Sequence, residues 1–120
     1  MRLNKLSVNP PIPIDALIHE IVYEQYKGVD SWKEIEYDDK VLISKVRVDL
    51  NTIFGHDATQ KKISTEAVIF VDAVNSENIP AQFIPESKIT FQGVAYRLKK
   101  VIPCYGFKSG DIRHWELEVV

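Results

Sequence analysis

The side chains with chemistry to offer are three histidines, one cysteine and seventeen carboxylates. His19, His56 and His114 lie far apart, without the H-x-x-x-H or H-E-x-x-H spacing that sets two imidazoles on one helix face toward zinc. Cys104 has no C-x-x-C partner, and no D-x-D-x-D-G run offers calcium an oxygen cage. Nucleophiles fare no better. Cys104 follows Pro103 in apolar surroundings, the setting of an inert buried thiol rather than a thiolate. Ser87 and Ser109 fall in turns outside any G-x-S-x-G context. No carboxylate sits in an apolar stretch that would raise its pKa for acid catalysis. The five glycines are scattered, so no loop is built to cradle a phosphate. The expectation is a protein that is not an enzyme, with no catalytic, cofactor-binding or metal-ligating residues and no cofactor.

What remains is architecture. Residues 88–101, KITFQGVAYRLKKV, hold Gln92-Gly93 between two alternating runs, a two-residue hairpin signal. Folding at that turn sets Phe91 opposite Val94 and Ile89 opposite Tyr96. Directly paired residues share a sheet face, so Ile89, Phe91, Val94, Tyr96 and Leu98 line one side. Lys88, Thr90, Ala95, Arg97 and Lys99 line the other. A slip of one residue would bury the charges.

The remaining chain is read around this hairpin. Residues 1–13 end in Asn9-Pro10-Pro11-Ile12-Pro13, where three prolines deny a sheet its donors. They form an expected N-terminal arm, and residues 14–120 a single β domain. Helical spacing and strand-forming residues compete over 14–26; Ile21, Val22, Tyr23 and Tyr26 tip the reading to a strand over 17–26 with a helical turn before it. Residues 28–39 are polar and acidic, a solvated connection in which Trp32, Ile35 and Tyr37 could form a short outer strand. Residues 40–50 are a strand with Leu42, Ser44, Val46, Val48 and Leu50 on one face. Val41 and Ile43 break that alternation and suggest an edge, a bulge or a second buried face. Residues 51–61 are a loop by composition. Residues 62–72 are a strand whose apolar run 67–71 asks for cover on both faces. Residues 73–87 are the longest connection, since Pro80 and Pro85 exclude a central strand. Its apolar Ile79, Phe83 and Ile84 either cap a barrel end or meet another subunit. Residues 112–120 are the last strand, with Trp115, Leu117 and Val119 inward. Set beside 94–101, its Glu116 and Glu118 would share the solvent face with Arg97 and Lys99. The sum is an all-β, mainly antiparallel fold: a small barrel or sandwich of about six strands with a Pro-rich arm and two long loops.

Length and charge are consistent with this. At 120 residues the chain is one domain's worth. A chain of this size buries roughly two-thirds of its unfolded surface, enough for a core without staples. The net charge is 15 − 17 = −2, which argues against a dedicated nucleic-acid binder, whose affinity rests on many cations. One cysteine permits no internal disulfide. The first fifteen residues lack a signal peptide's apolar core, and no apolar run is long enough to span a bilayer. A soluble, cytosol-made protein without membrane contact is expected.

Several runs together resemble a known group. Lys45-Val46-Arg47-Val48-Asp49, then residues 67–72 (AVIFVD), then the hairpin with its Tyr-x-Leu-Lys-Lys stretch, then the ending HWELEVV at 114–120 resemble the minor capsid proteins of tailed phages and prophages of Gram-positive bacteria. The resemblance runs from about residue 18 to 120, and the chain looks like the group of small head–tail joining proteins that includes the head-closure stopper. Residues 28–40 depart from it, where a turn richer in Gly and Pro would be expected.

The resemblance implies a structural virion protein at the head–tail interface, assembled in the bacterial host cytoplasm. Such proteins form a ring of like subunits below the portal and adaptor. They close the DNA channel after packaging and dock the tail. The implied partners are portal, adaptor and tail-completion proteins, further copies of the chain, and packaged double-stranded DNA held without sequence preference. On this reading the loop carrying Ile53, Phe54, Gly55, His56 and Asp57 is the candidate to reach the channel; an ordinary surface loop is the competing reading. Ile79, Phe83 and Ile84 are the candidate subunit contacts. A non-viral β-barrel binding module, for a small ligand or single-stranded nucleic acid, is the alternative. It would need aromatics beside basic residues on an outward face, whereas Phe91, Tyr96 and Trp115 are expected inside.

Overall fold

A computed structural model describes residues 10–50, 65–106 and 110–120. A single 3₁₀ turn, Ile14–Ala16, precedes eight strands: β1 (His19–Glu24), β2 (Tyr26–Val29), β3 (Ile35–Tyr37), β4 (Val41–Leu50), β5 (Ala67–Asp72), β6 (Lys88–Phe91), β7 (Val94–Tyr105) and β8 (Ile112–Val119). Six of them close into an antiparallel barrel in the order β1-β4-β5-β8-β7-β6. β2 and β3 form a separate two-stranded hairpin. Helical spacing over 14–26 therefore yields only the short turn, and the β-branched and aromatic residues after it form β1. No helix among the described residues is long and apolar enough to cross a membrane.

The hairpin at Gln92-Gly93 has the register expected, with Phe91 opposite Val94 and Ile89 opposite Tyr96. Both turn residues have positive φ, 51° at Gln92 and 81° at Gly93, which is the twist-compatible two-residue turn. Ile89, Phe91 and Leu98 join the core. Val94, expected inside, is 52% exposed. The cause is that β8 does not pair with β7 before Leu98, so the first residues of β7 have β6 alone beside them.

β4 corrects a second expectation. Ile43, Val46 and Val48 point inward and Leu42 faces out, while Leu50, on the face of Val46 and Val48, is exposed at the end of the strand. His19 pairs with Val46 and Glu20 with Ser44, so Lys45 is an extra residue, at φ 58°. That β-bulge resets the alternation by one, as bulges do. It also frees backbone for another partner. Ser44 exchanges two backbone hydrogen bonds with Glu77, and the Glu77 carboxylate accepts from Ser44 Oγ and from Lys45 Nζ at 3.0 Å. These contacts hold the Glu77 carboxyl below the usual carboxylate range, the Lys45 hydrogen bond acting most strongly.

β8 pairs with both β5 and β7. A second irregularity between Leu98 and Lys100 sets Glu118 opposite Lys100 and Glu116 opposite Ile102. The expected grouping of Glu116 and Glu118 with Arg97 and Lys99 is thereby shifted, and Arg97 pairs with Glu86 instead. The apolar run of β5 contributes Ala67, Ile69 and Val71 to the core, while Val68 and Phe70 are half-buried on the outside.

Polar staples hold the long connection and the described end of the arm. Asp72 is fully buried, and its carboxylate accepts three backbone N–H groups: Ile12 (2.8 Å), Val74 (3.0 Å) and Asn75 (2.8 Å). Ser76 Oγ accepts from the Asp72 N–H and donates to the Lys45 carbonyl. Asn75 donates to the Ile12 carbonyl, and Arg113 Nε donates to that of Pro10. Hydrogen bonds to an ionised acceptor are worth about 1.5–3 kcal/mol, and unsatisfied buried donors cost a similar amount.

Two outcomes are expected. Gln92→Asn suits positive φ better and should stabilise the domain by roughly 0.5 kcal/mol, raising Tm by about 1–3 °C in a thermal melt. Asp72→Ala strands three donors and should cost about 3 kcal/mol. Its denaturation midpoint should fall, and limited proteolysis should cut faster near Pro10–Pro13.

Candidate functional site

The barrel presents two ends. Antiparallel pairing sends the start of β1, the end of β4, the start of β5, the end of β8 and the Gln92-Gly93 turn to one end. The β2–β3 hairpin, residues 73–87 and the β7–β8 turn lie at the other.

Residues 73–87 close their end of the barrel. Phe83 is buried in the core, edge-on to Tyr23 (5.3 Å between centroids) and to Trp115 (5.7 Å). Edge-to-face aromatic pairs of this kind contribute about 0.5–1.5 kcal/mol beyond burial. Ile79 packs against the same cluster, and Ile84 is half-buried, its N–H donating to Tyr23 Oη at 2.9 Å. Ser87 is fully buried; its Oγ donates to the Ile84 carbonyl at 2.6 Å, accepts from the Tyr26 N–H at 2.9 Å and lies 3.3 Å from Tyr23 Oη. Of the three candidate subunit contacts, Phe83 thus serves the interior of its own barrel, while Ile79 and Ile84 keep part of their surface at the rim. Phe91 is buried, and Tyr96 and Trp115 pack against the core, so none of the three offers a face for a base to stack on.

Ile53, Phe54, Gly55, His56 and Asp57 lie outside the described residues. Their anchors are Leu50, paired with Ala67 at the end of the β4–β5 ladder, and Thr65, whose hydroxyl donates to Glu118. The channel-loop candidates therefore depart from the barrel end that carries the Gln92-Gly93 turn.

Three surface features stand out where sequence patterning was weakest. The β2–β3 hairpin projects from the opposite end with Trp32 82% exposed, flanked by the exposed Val29 and Ile35. Asp30 Oδ1 accepts from the N–H groups of Trp32 and Glu34, holding the tip in shape. A groove of about 660 Å³ runs over β1 between β4 and β6, with the exposed Ile18 and Leu42 on its walls. The third feature is charge. Lys27–Asp38, Lys45–Glu77, Arg47–Asp49, Lys88–Glu24 and Arg97–Glu86 pair within 4 Å, so these surface cations are matched by carboxylates.

One side-chain cluster escaped sequence reasoning. Cys104 on β7 stands directly across from His114 on β8, and Glu116 follows His114 on the same outward face. His114 is buried against Phe70 and Arg113. Burial, and secondarily the Glu116 charge, pushes the Cys104 thiol up. A raised thiol pKa is the reverse of what a nucleophile needs. No local spacing could have shown this trio, because it depends on the β7–β8 register.

Comparison with known proteins bears on the whole chain. No curated protein and no solved structure matches it significantly. A protein-family model described as minor capsid protein matches residues 13–119, from the end of the arm through β8. The match covers the barrel, the hairpin and both long connections, and it agrees with the runs in β4, β5, β7 and β8 that resemble phage capsid-associated proteins. The chain belongs to the minor capsid protein family, and is a structural protein of phage virions.

Proposed function

We propose that this minor capsid protein acts in the head–tail connector. Subunits form a ring below the portal and adaptor, close the DNA channel after packaging and present the docking surface for the tail. The observation that carries this reading is the matched surface charge on a closed barrel. Each unneutralised cation facing a channel would add a phosphate contact and slow DNA exit. Here five cations of the described surface are held by carboxylates. The six barrel strands are paired on both sides along most of their length, so the wall offers copies little edge for adding strand to strand. Contacts then fall to projections and loops.

In this arrangement the loop at 51–61 reaches the channel from one barrel end. At the other end the β2–β3 hairpin, the rim of residues 73–87 with the exposed Val74, and the arm 1–13 meet neighbouring subunits or the portal side. A heterologous contact of this kind generates a ring when its rotation closes.

Deleting residues 54–59 should give heads that package DNA and then lose it, while rings still form with portal complexes in electron micrographs. Heads that retain their genomes would remove the loop from the channel. Trp32→Ser should leave the monomer's Tm within about 2 °C, since the side chain buries little, yet reduce the yield of joined particles at least tenfold. Joining at the unmodified rate would show that the hairpin tip is not a contact.

A further inference from the structure

We propose that Cys104, His114 and Glu116 form a binding site for a borderline-soft divalent cation of the zinc type on the outer wall of the barrel. The donor set is a thiol, an imidazole and a carboxylate, drawn from two adjacent strands, with all three ligand atoms within 4.8 Å of one another. Spacing supports an ion. With Zn–S about 2.3 Å, Zn–N and Zn–O about 2.0 Å and tetrahedral angles, the S···O edge is about 3.5 Å and the N···O edge about 3.3 Å. Cys104 Sγ lies 3.6 Å from Glu116 Oε2, and His114 Nε2 lies 3.2 Å from the same oxygen. Two edges of the coordination tetrahedron are therefore already set by the β7–β8 register. Three protein ligands leave a fourth position for water, reachable because Cys104 and Glu116 are half-exposed.

Charge supports the same assignment. Thiolate, carboxylate and neutral imidazole together carry two negative charges, which a divalent ion neutralises. Binding replaces the thiol proton, which leaves to solvent, with the metal–sulfur bond. One group opposes it. Arg113 Nη1 lies 2.9 Å from His114 Nδ1, and a guanidinium only donates, so Nδ1 accepts and Nε2 holds the ring proton toward Glu116. Loading the ion moves that proton to Nδ1 and turns Arg113 away. Arg113 also lines, with Arg47, Asp49 and Phe70, an adjoining cavity of about 400 Å³, and its Nε stays tied to the Pro10 carbonyl unless that bond is given up as it turns.

The test is metal titration of the full-length, reduced, tag-free protein. Co²⁺ should bind one to one with a near-ultraviolet thiolate-to-metal charge-transfer band, and Zn²⁺ should displace it. Cys104→Ser should abolish the band and weaken Zn²⁺ binding at least tenfold, circular dichroism confirming the fold. Arg113→Gln offers an acceptor to a protonated Nδ1 and should tighten Zn²⁺ several-fold, as supporting groups around metal ligands do. In the unmodified protein, Zn²⁺ should slow alkylation of Cys104 at least tenfold. This last reading stands even if a variant does not fold. No charge-transfer band at millimolar Co²⁺, equal Zn²⁺ affinity in Cys104→Ser, or alkylation indifferent to Zn²⁺ would each overturn the assignment.

Discussion

β1 is hydrogen-bonded along both edges, to β4 on one side and β6 on the other, and everything else in the molecule depends on that. Without the β1–β6 ladder the six strands would be an open sheet with two unpaired edges, each a template for another chain. With it the sheet is continuous. Alternate side chains are forced to a common interior, where Ile21, Ile43, Ile69, Ile89, Leu98 and Leu117 are wholly removed from water. The ladder is only three pairs long, Val22–Thr90 to Glu24–Lys88. Its brevity explains why closure is reinforced nearby by Tyr23, whose ring lies in the core and whose hydroxyl ties down Ile84.

The polar groups inside this fold are anchors for connections that have no ladder of their own. Residues 73–87 cross a barrel end with main-chain bonds to the strands at few points: Ala73 to Arg113, Glu77 to Ser44, and Glu86 and Ser87 to Leu98. Their backbone polar groups still need partners. Asp72, Ser76 and Ser87 supply them, each buried and each bonding to main chain several residues or many tens of residues away. The β-bulge at Lys45 belongs to the same scheme. It turns the Ser44 backbone toward Glu77 while shifting the rest of β4 into register with the core. A residue in the left-handed region costs about 1–2 kcal/mol. The bonds to Ser76 and Glu77 gathered at this bulge offset that cost.

A barrel that exhausts its own edges suits a structural component of a virion. Its wall offers little edge for strand addition, so assembly falls to surfaces that can be shaped independently of the core. The β2–β3 hairpin, the rim of 73–87 and the loop after β4 are such surfaces, and they leave the barrel from opposite ends. Surface ion pairs contribute little to stability.

Sequence and structure divide along the range of the interactions involved. The Gln92-Gly93 hairpin and its register were legible because a two-residue turn and side-chain alternation are local signals. So were β4, β5 and β8, the proline-limited connection after β5, the predominance of strands among the described residues, and the order of runs that points to minor capsid proteins. Tertiary structure alone decided which residues of β4 face inward, because the bulge at Lys45 answers to β1, some twenty-five residues away in sequence. It decided that Val94 is exposed, because β8 stops short of it. It decided that Phe83 belongs to the core, since only Tyr23 and Trp115 together make a place for its ring. And it brought Cys104, His114 and Glu116 together. Alternation says which side of its own strand a residue takes; only the pairing of distant strands, settled by closing the barrel, says what it meets there.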